Sequence, residues 1–120
     1  QYGILETMMT TYDALVDPTR RQILDLLRKQ PRMVGELVEL IGISQPGISK
    51  HLRVLREARL VRVRQDAQRR WYELDAEPLV EVYEWLEAYR PLWEERFELL
   101  GSFLDELQQE LKENEDDERE

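Results

Sequence analysis

Residues 34–58 read VGELVELIGISQPGISKHLRVLREA. Val34, Leu37, Val38 and Ile41 line one face of a short helix, and Gly42 follows as a residue suited to closing it. Ser44 offers a side-chain oxygen to cap a second helix, with Gln45, Pro46 and Gly47 in its first turn. Ile48, Leu52 and Leu55 then recur at i, i+4 and i+7, the spacing of a buried stripe. Two short helices parted only by Gly42-Ile43 form a helix-turn-helix. With that stripe inward, steps of about 100° per residue put Pro46, Lys50 and Arg53 on the opposite face. Ser49 and Arg56 lie on a flank. Ser44 and Gln45 stand at the helix start, where free N–H groups favour a phosphate.

Outward from this stretch the pattern changes twice. After Ala58 the period becomes two: Leu60-Val61-Arg62-Val63-Arg64 alternates, and Arg70-Trp71-Tyr72-Glu73-Leu74 follows a polar turn near Asp66 to Gln68. This predicts a β-hairpin, a wing, over 60–74, with Arg62 and Arg64 on one face and Arg69 and Arg70 at the start of the second strand. The turn has no Gly, so its type and length stay open. Upstream, Asp17-Pro18 is a strong helix start, and Ile4, Leu5, Met8, Tyr12 and Leu15 form a stripe on a first helix over 4–16. From Asp75 and Pro78 the chain is helical again. Leu86, Tyr89, Trp93, Phe97, Leu100, Leu104, Leu107 and Leu111 recur at threes and fours, nearly a heptad seam.

The expected class is mainly α with a small β-hairpin: a winged helix-turn-helix with a long terminal dimerisation helix. Residues 1–112 are expected to form one domain, with the recognition helix over 44–58 and the terminal helix over 78–112. Pro91 should kink or split that helix. Residues 113–120, almost all charged, are expected to be a disordered acidic tail. If continuous, 78–112 spans about 50 Å at 1.5 Å per residue. A globule of this length has a radius of gyration near ~14 Å, so one protomer cannot cover the seam and a second copy can. Tyr89, Trp93, Phe97, Leu100 and Leu104 are therefore candidate interface residues. An aromatic ligand pocket around Trp85, Tyr89, Trp93 and Phe97 is the alternative.

Charge supports a local anion-binding face although the whole chain carries −9. Residues 18–72 hold 13 Lys/Arg against 5 Asp/Glu, a net +8. Residues 73–120 hold 4 against 18, a net −14, and residues 1–17 add −3. Between Ser44 and Trp71 stand eight cations (Lys50, Arg53, Arg56, Arg59, Arg62, Arg64, Arg69 and Arg70) and two acids. Coulomb attraction at physiological salt reaches only about 8 Å, so this local balance decides what binds. Wing arginines suit the sugar-phosphate backbone or a minor groove, though strand arginines also protect sheet edges.

The 120 residues contain no cysteine and one histidine, His51. Disulfides, thiolate metal sites and a cysteine nucleophile are thereby excluded. A lone histidine lacks partner ligands for a metal and a nucleophile to serve, which leaves a DNA contact or a structural hydrogen bond. No Gly-rich phosphate loop is present, so an enzyme is not expected. Nor is a cofactor or a metal. No apolar run approaches the roughly 20 residues of a membrane span, and no secretory leader pattern opens the chain, so a cytoplasmic protein is expected. Met8 and Met9 are both conceivable starts.

The segments Asp17-Pro18-Thr19-Arg20-Arg21, Gly35-Glu36-Leu37, Ser44-Gln45-Pro46-Gly47-Ile48-Ser49-Lys50-His51-Leu52, Leu55-Arg56-Glu57-Ala58 and Leu60-Val61 resemble the ArsR-type winged-helix repressors over roughly residues 10 to 100. The resemblance implies DNA contacts by Ser44, Gln45, Ser49, Lys50 and His51. It also implies a dimer through the first and last helices, which adds Leu5, Met8 and Tyr12 to the interface. Metal-sensing members carry Cys-x-Cys where Met33 and Gly35 stand here, so the thiolate site is missing. Arg59 occupies a position where the family usually has Gly, which predicts a non-Gly residue at positive φ. The expected partners are double-stranded DNA and a second copy. The expected activity is repression at an inverted-repeat operator. The rival is a winged-helix dimer that serves as a protein-interaction module without DNA binding.

Overall fold

The computed structural model describes residues 10–119. Helix α1 covers residues 10–16, so Leu5 and Met8, named above for the interface, lie outside the described residues. It is followed by α2 (Pro18–Lys29), α3 (Val34–Ile41), α4 (Gln45–Glu57), β1 (Val61–Asp66), β2 (Arg69–Leu74), α5 (Glu77–Glu87) and α6 (Arg90–Arg119). The chain divides into two compact units, one ending at Tyr83 and the other starting at Glu84.

The first unit is held by one core. Ala14, Ile23, Leu27, Leu37, Ile48, Leu52, Leu55, Leu60, Val61 and Tyr72 are buried together, with Leu15, Val38, Val63 and Leu79 packed against them. Each helix sends its apolar stripe to this core, and the ends are fixed by side chains. Asp17 Oδ1 accepts from the backbone N–H of Thr19 at 2.8 Å and of Arg20 at 3.1 Å, capping α2. The same segment closes α1. Arg20 donates from Nε to the Ala14 carbonyl at 2.8 Å, and Arg21 donates from Nη1 to the Leu15 and Val16 carbonyls at 2.8 and 3.1 Å. Cations on the last carbonyls of a helix satisfy orphan acceptors and complement its dipole.

Helix α3 starts with the Met33 N–H donating to Glu36 Oε1 at 3.3 Å. It stops at Gly42, in the left-handed conformation at φ 83°. Helix α4 ends in a Schellman arrangement: the Leu60 N–H reaches the Leu55 carbonyl at 2.9 Å and the Arg59 N–H the Arg56 carbonyl at 3.0 Å. Arg59 takes the left-handed position of that motif with φ 60°, as the family resemblance implies. Leu55 and Leu60, the apolar pair that accompanies such a cap, are both fully buried.

The wing is a two-stranded antiparallel sheet whose pairs run from Val61–Leu74 to Asp66–Arg69. Its loop is therefore two residues long. Ala67, the first of them, has φ 55°, the positive value that hairpin turns of this length require. Arg32 bridges the far side of β2, exchanging two backbone hydrogen bonds with Tyr72 at 2.8 and 3.0 Å.

In the second unit the terminal helix is split and longer than expected. Helix α5 stops at Glu87 and α6 starts at Arg90, with a turn at 88–89 between them. Pro91 explains the break. It has no N–H for the Glu87 carbonyl, and its ring collides with that turn. It is tolerated as the second residue of a new helix, where no donor is needed. Residues 113–119, expected to be disordered, continue α6 instead. Glu and Lys are good helix formers, which lets the charged run extend the helix.

Candidate nucleic-acid interface

Helix α4 presents the residues singled out in the sequence. Ile48, Leu52 and Leu55 are no more than 1% exposed, which fixes the rotation of the helix. Gln45, Pro46, Ser49, Lys50, Arg53 and Arg56 are all exposed, on the other side. Lys50, Arg53 and Arg56 have no acidic partner among the described residues. Ser44 is exposed, but its hydroxyl is already committed: Oγ accepts from the Gly47 N–H at 3.2 Å as the helix cap. Gly47 is the right residue there, since a Cβ would come within 3.3 Å of that Oγ and against Ile43.

His51 stands apart from the set. It follows Ile48 by three residues and precedes Leu55 by four, which puts it at the margin of the buried stripe. It is half-buried, and its Nδ1 is buried with no hydrogen-bond partner among the described residues. It lies close enough to Asp17 to act on that carboxyl. Asp17 is held below the usual aspartate range first by the Arg20 N–H, then by the Thr19 N–H, with the charges of His51 and Arg20 adding to them against partial desolvation.

The hairpin register sorts the wing cations. Arg62, Arg64 and Arg69 share a face with Trp71 and Glu73, and Arg70 is on the other face with Tyr72, its guanidinium 6.0 Å from the ring centre. Arg62 and Arg64 are not free. Glu73 accepts from Arg62 Nε at 3.2 Å through Oε2 and from Arg64 Nε at 2.6 Å through Oε1. The Arg64 hydrogen bond, with that of Arg62 behind it, keeps the Glu73 carboxyl below the usual glutamate range. Sequence reading missed Glu73 because it stands where the acidic half of the chain begins. Only the cross-strand register reveals it inside the basic face, and a turn without Gly does not disclose that register.

The candidate interface residues in the rest of the chain are less enclosed. Tyr12 is half-buried and borders a shallow cleft with Thr10, Asp13 and Val16. Tyr89, Trp93, Phe97, Leu100 and Leu104 are between 41% and 71% exposed in the single chain. Trp85 and Tyr89 pack edge to face, 5.4 Å between ring centres. Among the described residues, no three His, Asp or Glu side chains gather as a metal site, and no helix is long and apolar enough to cross a membrane.

Residues 17–63 match the family model described as bacterial regulatory protein, arsR family. The transcriptional repressor SdpR of Bacillus subtilis is 35% identical over 79 residues, which cover 66% of this chain and 88% of that one. A crystal structure of an ArsR family transcriptional regulator superimposes with a TM-score of 0.64 at 31% identity, covering 74% of this chain and 92% of the other. The chain belongs to the arsR family. The homodimeric winged helix-turn-helix DNA-binding domain of a Mycobacterium bovis protein is also similar, with a TM-score of 0.60, 26% identity and coverage of 74% and 88%. Two further curated relatives are matched over only 60% and 57% of their own length. This arsR-family member is a DNA-binding transcriptional regulator with a winged helix-turn-helix fold; its relatives are regulators, not enzymes.

Proposed function

We propose that this regulator is a homodimeric repressor that binds an inverted-repeat operator in double-stranded DNA. The observation that carries the reading is the two-sidedness of α4. Its inner face is locked by Ile48, Leu52 and Leu55, while Gln45, Ser49, Lys50, Arg53 and Arg56 stand together in solvent without acidic partners. In this reading Gln45, Ser49 and Lys50 meet base edges in the major groove, and Pro46 packs beside them at the helix start. Arg53 contacts phosphates, with Ser44 fixing the helix N-terminus that faces one. Arg62, Arg64, Arg69 and Arg70 carry the wing to the backbone. His51, half-buried at the margin of α4 with its Nδ1 unpartnered among the described residues, serves as a further DNA contact in this reading.

The dimer is supported by the apolar seam of α6 and by the homodimeric domain to which the chain is similar. The second copy covers Tyr89, Trp93, Phe97, Leu100 and Leu104, with Tyr12 and the first helix contributing. Two recognition helices then enter successive major grooves, about one helical turn apart. The acidic residues of α6 take no part in DNA contact in this reading, since phosphates would repel them. Repression follows if the bound dimer covers a promoter, and SdpR, to which the chain is similar, is named a repressor.

Selection of bound sequences from a random duplex library tests the whole reading. An enriched inverted repeat with half-site centres about 10 base pairs apart is the expected result. Recovery of no motif, with binding that ignores salt, would favour a dimer that docks proteins instead.

A further inference from the structure

The wing holds two arginines and one carboxylate in an arrangement that a simple basic hairpin does not need. In the β1–β2 register Arg62 lies directly opposite Glu73, and Arg64 lies diagonally across from it on the same face. Glu73 sits at the base with 18% of its side chain exposed, while Arg62 and Arg64 reach outward at 66% and 49%. Each carboxylate oxygen takes one guanidinium, and each guanidinium is engaged only through Nε. Among the described residues neither arginine makes an Nη hydrogen bond, so the guanidinium edge formed by the two Nη groups stays open to a second acceptor. Residues two apart on a strand are spaced by roughly 6.6 Å, so two unshielded guanidiniums there would repel and splay. With Glu73 between them the cluster keeps a net charge of +1.

We infer that Glu73 is a positioning residue for DNA-backbone contact: it preassembles Arg62 and Arg64 into a clamp whose Nη groups grip a phosphate. This rests on the DNA-binding reading of the wing. The physical gain is preorganisation. Arg side chains lose much rotamer freedom when they bind, and here that freedom is given up in the free protein. The guanidinium geometry permits both contacts at once, because the Nε edge can serve the carboxylate while the Nη edge serves the phosphate. The opposite role is that Glu73 screens the arginines and competes with DNA. It would require the acid to occupy the groups a phosphate needs, and the Nη groups are not occupied among the described residues.

Duplex affinity of the full chain, measured by fluorescence anisotropy on one fixed operator duplex, distinguishes the two. Under the clamp, Glu73→Ala weakens binding by about three- to tenfold even though it makes the wing more positive. Arg64→Ala then costs much less in the Glu73→Ala background than alone, and Glu73→Gln, which keeps one acceptor oxygen, falls between. In the free protein, two slowly exchanging Arg Hε resonances should be present and should vanish in Glu73→Ala while the backbone resonances of the hairpin persist. Equal or tighter binding by Glu73→Ala with an intact hairpin overturns the inference and leaves DNA binding standing. Failure of the unaltered chain to bind any duplex overturns the DNA-binding reading, and the clamp with it.

Discussion

In α4, Ile48, Leu52 and Leu55 recur at steps of four and three, and all are at most 1% exposed; in α6, Phe97, Leu100, Leu104, Leu107 and Leu111 recur at the same steps, and each is at least 40% exposed. The amphipathic pattern is the same, and the surroundings differ. Helix α4 lies among α2, α3 and β1, which close over its stripe within one chain. Helix α6 is 30 residues, about 45 Å of rod, and its own unit offers nothing of matching length. The buried helix can therefore be fixed in rotation and turn its polar face to a ligand. The uncovered one leaves its apolar face exposed in the single chain, the face that the proposed dimer would bury. Patterning says that a helix will bury one side, and only the rest of the chain says against what.

Matched truncations should separate the two helices most widely. Leu52→Ala is expected to lower the unfolding free energy by about 2–5 kcal/mol in urea titrations, whatever the protein concentration, because it opens a cavity in a closed core. Leu104→Ala should act through association, so its cost should appear as a change in the concentration dependence of unfolding. Equal behaviour of the two variants would erase the distinction. A harsher change at the seam, Phe97→Glu with Leu104→Glu, is expected to give monomers by sedimentation equilibrium while the helix-turn-helix unit still melts cooperatively. Persistence of the dimer would place the interface elsewhere.

Smaller effects sharpen the α4 side. Arg59→Gly should stabilise the chain by about 1 kcal/mol in thermal denaturation, since Gly takes the left-handed cap position without the Cβ penalty. The same change removes a cation beside the recognition helix, so duplex affinity should fall slightly as stability rises. The smallest effect concerns acid. Asp17 is held below its ordinary pKa, so its contribution to stability is present above the unfolded-state value and is lost as pH falls through the lower folded value. Asp17→Asn keeps an N-capping side chain but does not titrate. Melting temperatures from pH 7 to pH 3 should fall less steeply for Asp17→Asn than for the unaltered chain.

What was legible in the sequence was mostly local. Gly42, Ser44 and the stripe of α4 announce two helices and a turn because capping and periodicity act within a few residues. Arg59 was readable as a strained cap only through the resemblance, which puts Gly at that position. The break at Glu87 follows from Pro91, which was expected to kink or split the helix; the periodicity of Leu86, Tyr89 and Trp93 across it left open which. The acidic run at the end reads as disorder by charge and as helix by propensity, and in the structure it is helical. Within the candidate site, exposure of Lys50 and Arg53 was legible from the wheel. For His51 the sequence offered a DNA contact or a structural hydrogen bond, and its half-buried place became visible only in the structure. Glu73 was not legible, because its partners depend on a strand register set by a two-residue turn without Gly.

Duplex affinity as a function of salt, for the unaltered chain and for Gln45→Ala and Lys50→Ala, tests the central claim most directly. The account predicts a steep linear fall of log affinity with log salt. Gln45→Ala should lose about 1–3 kcal/mol of operator affinity, with little change in binding to unrelated duplex. Lys50→Ala should also weaken operator binding while fold and dimer persist. Affinity that is flat with salt, or unchanged in both variants, would contradict the assignment of α4 and the wing as the DNA-binding face.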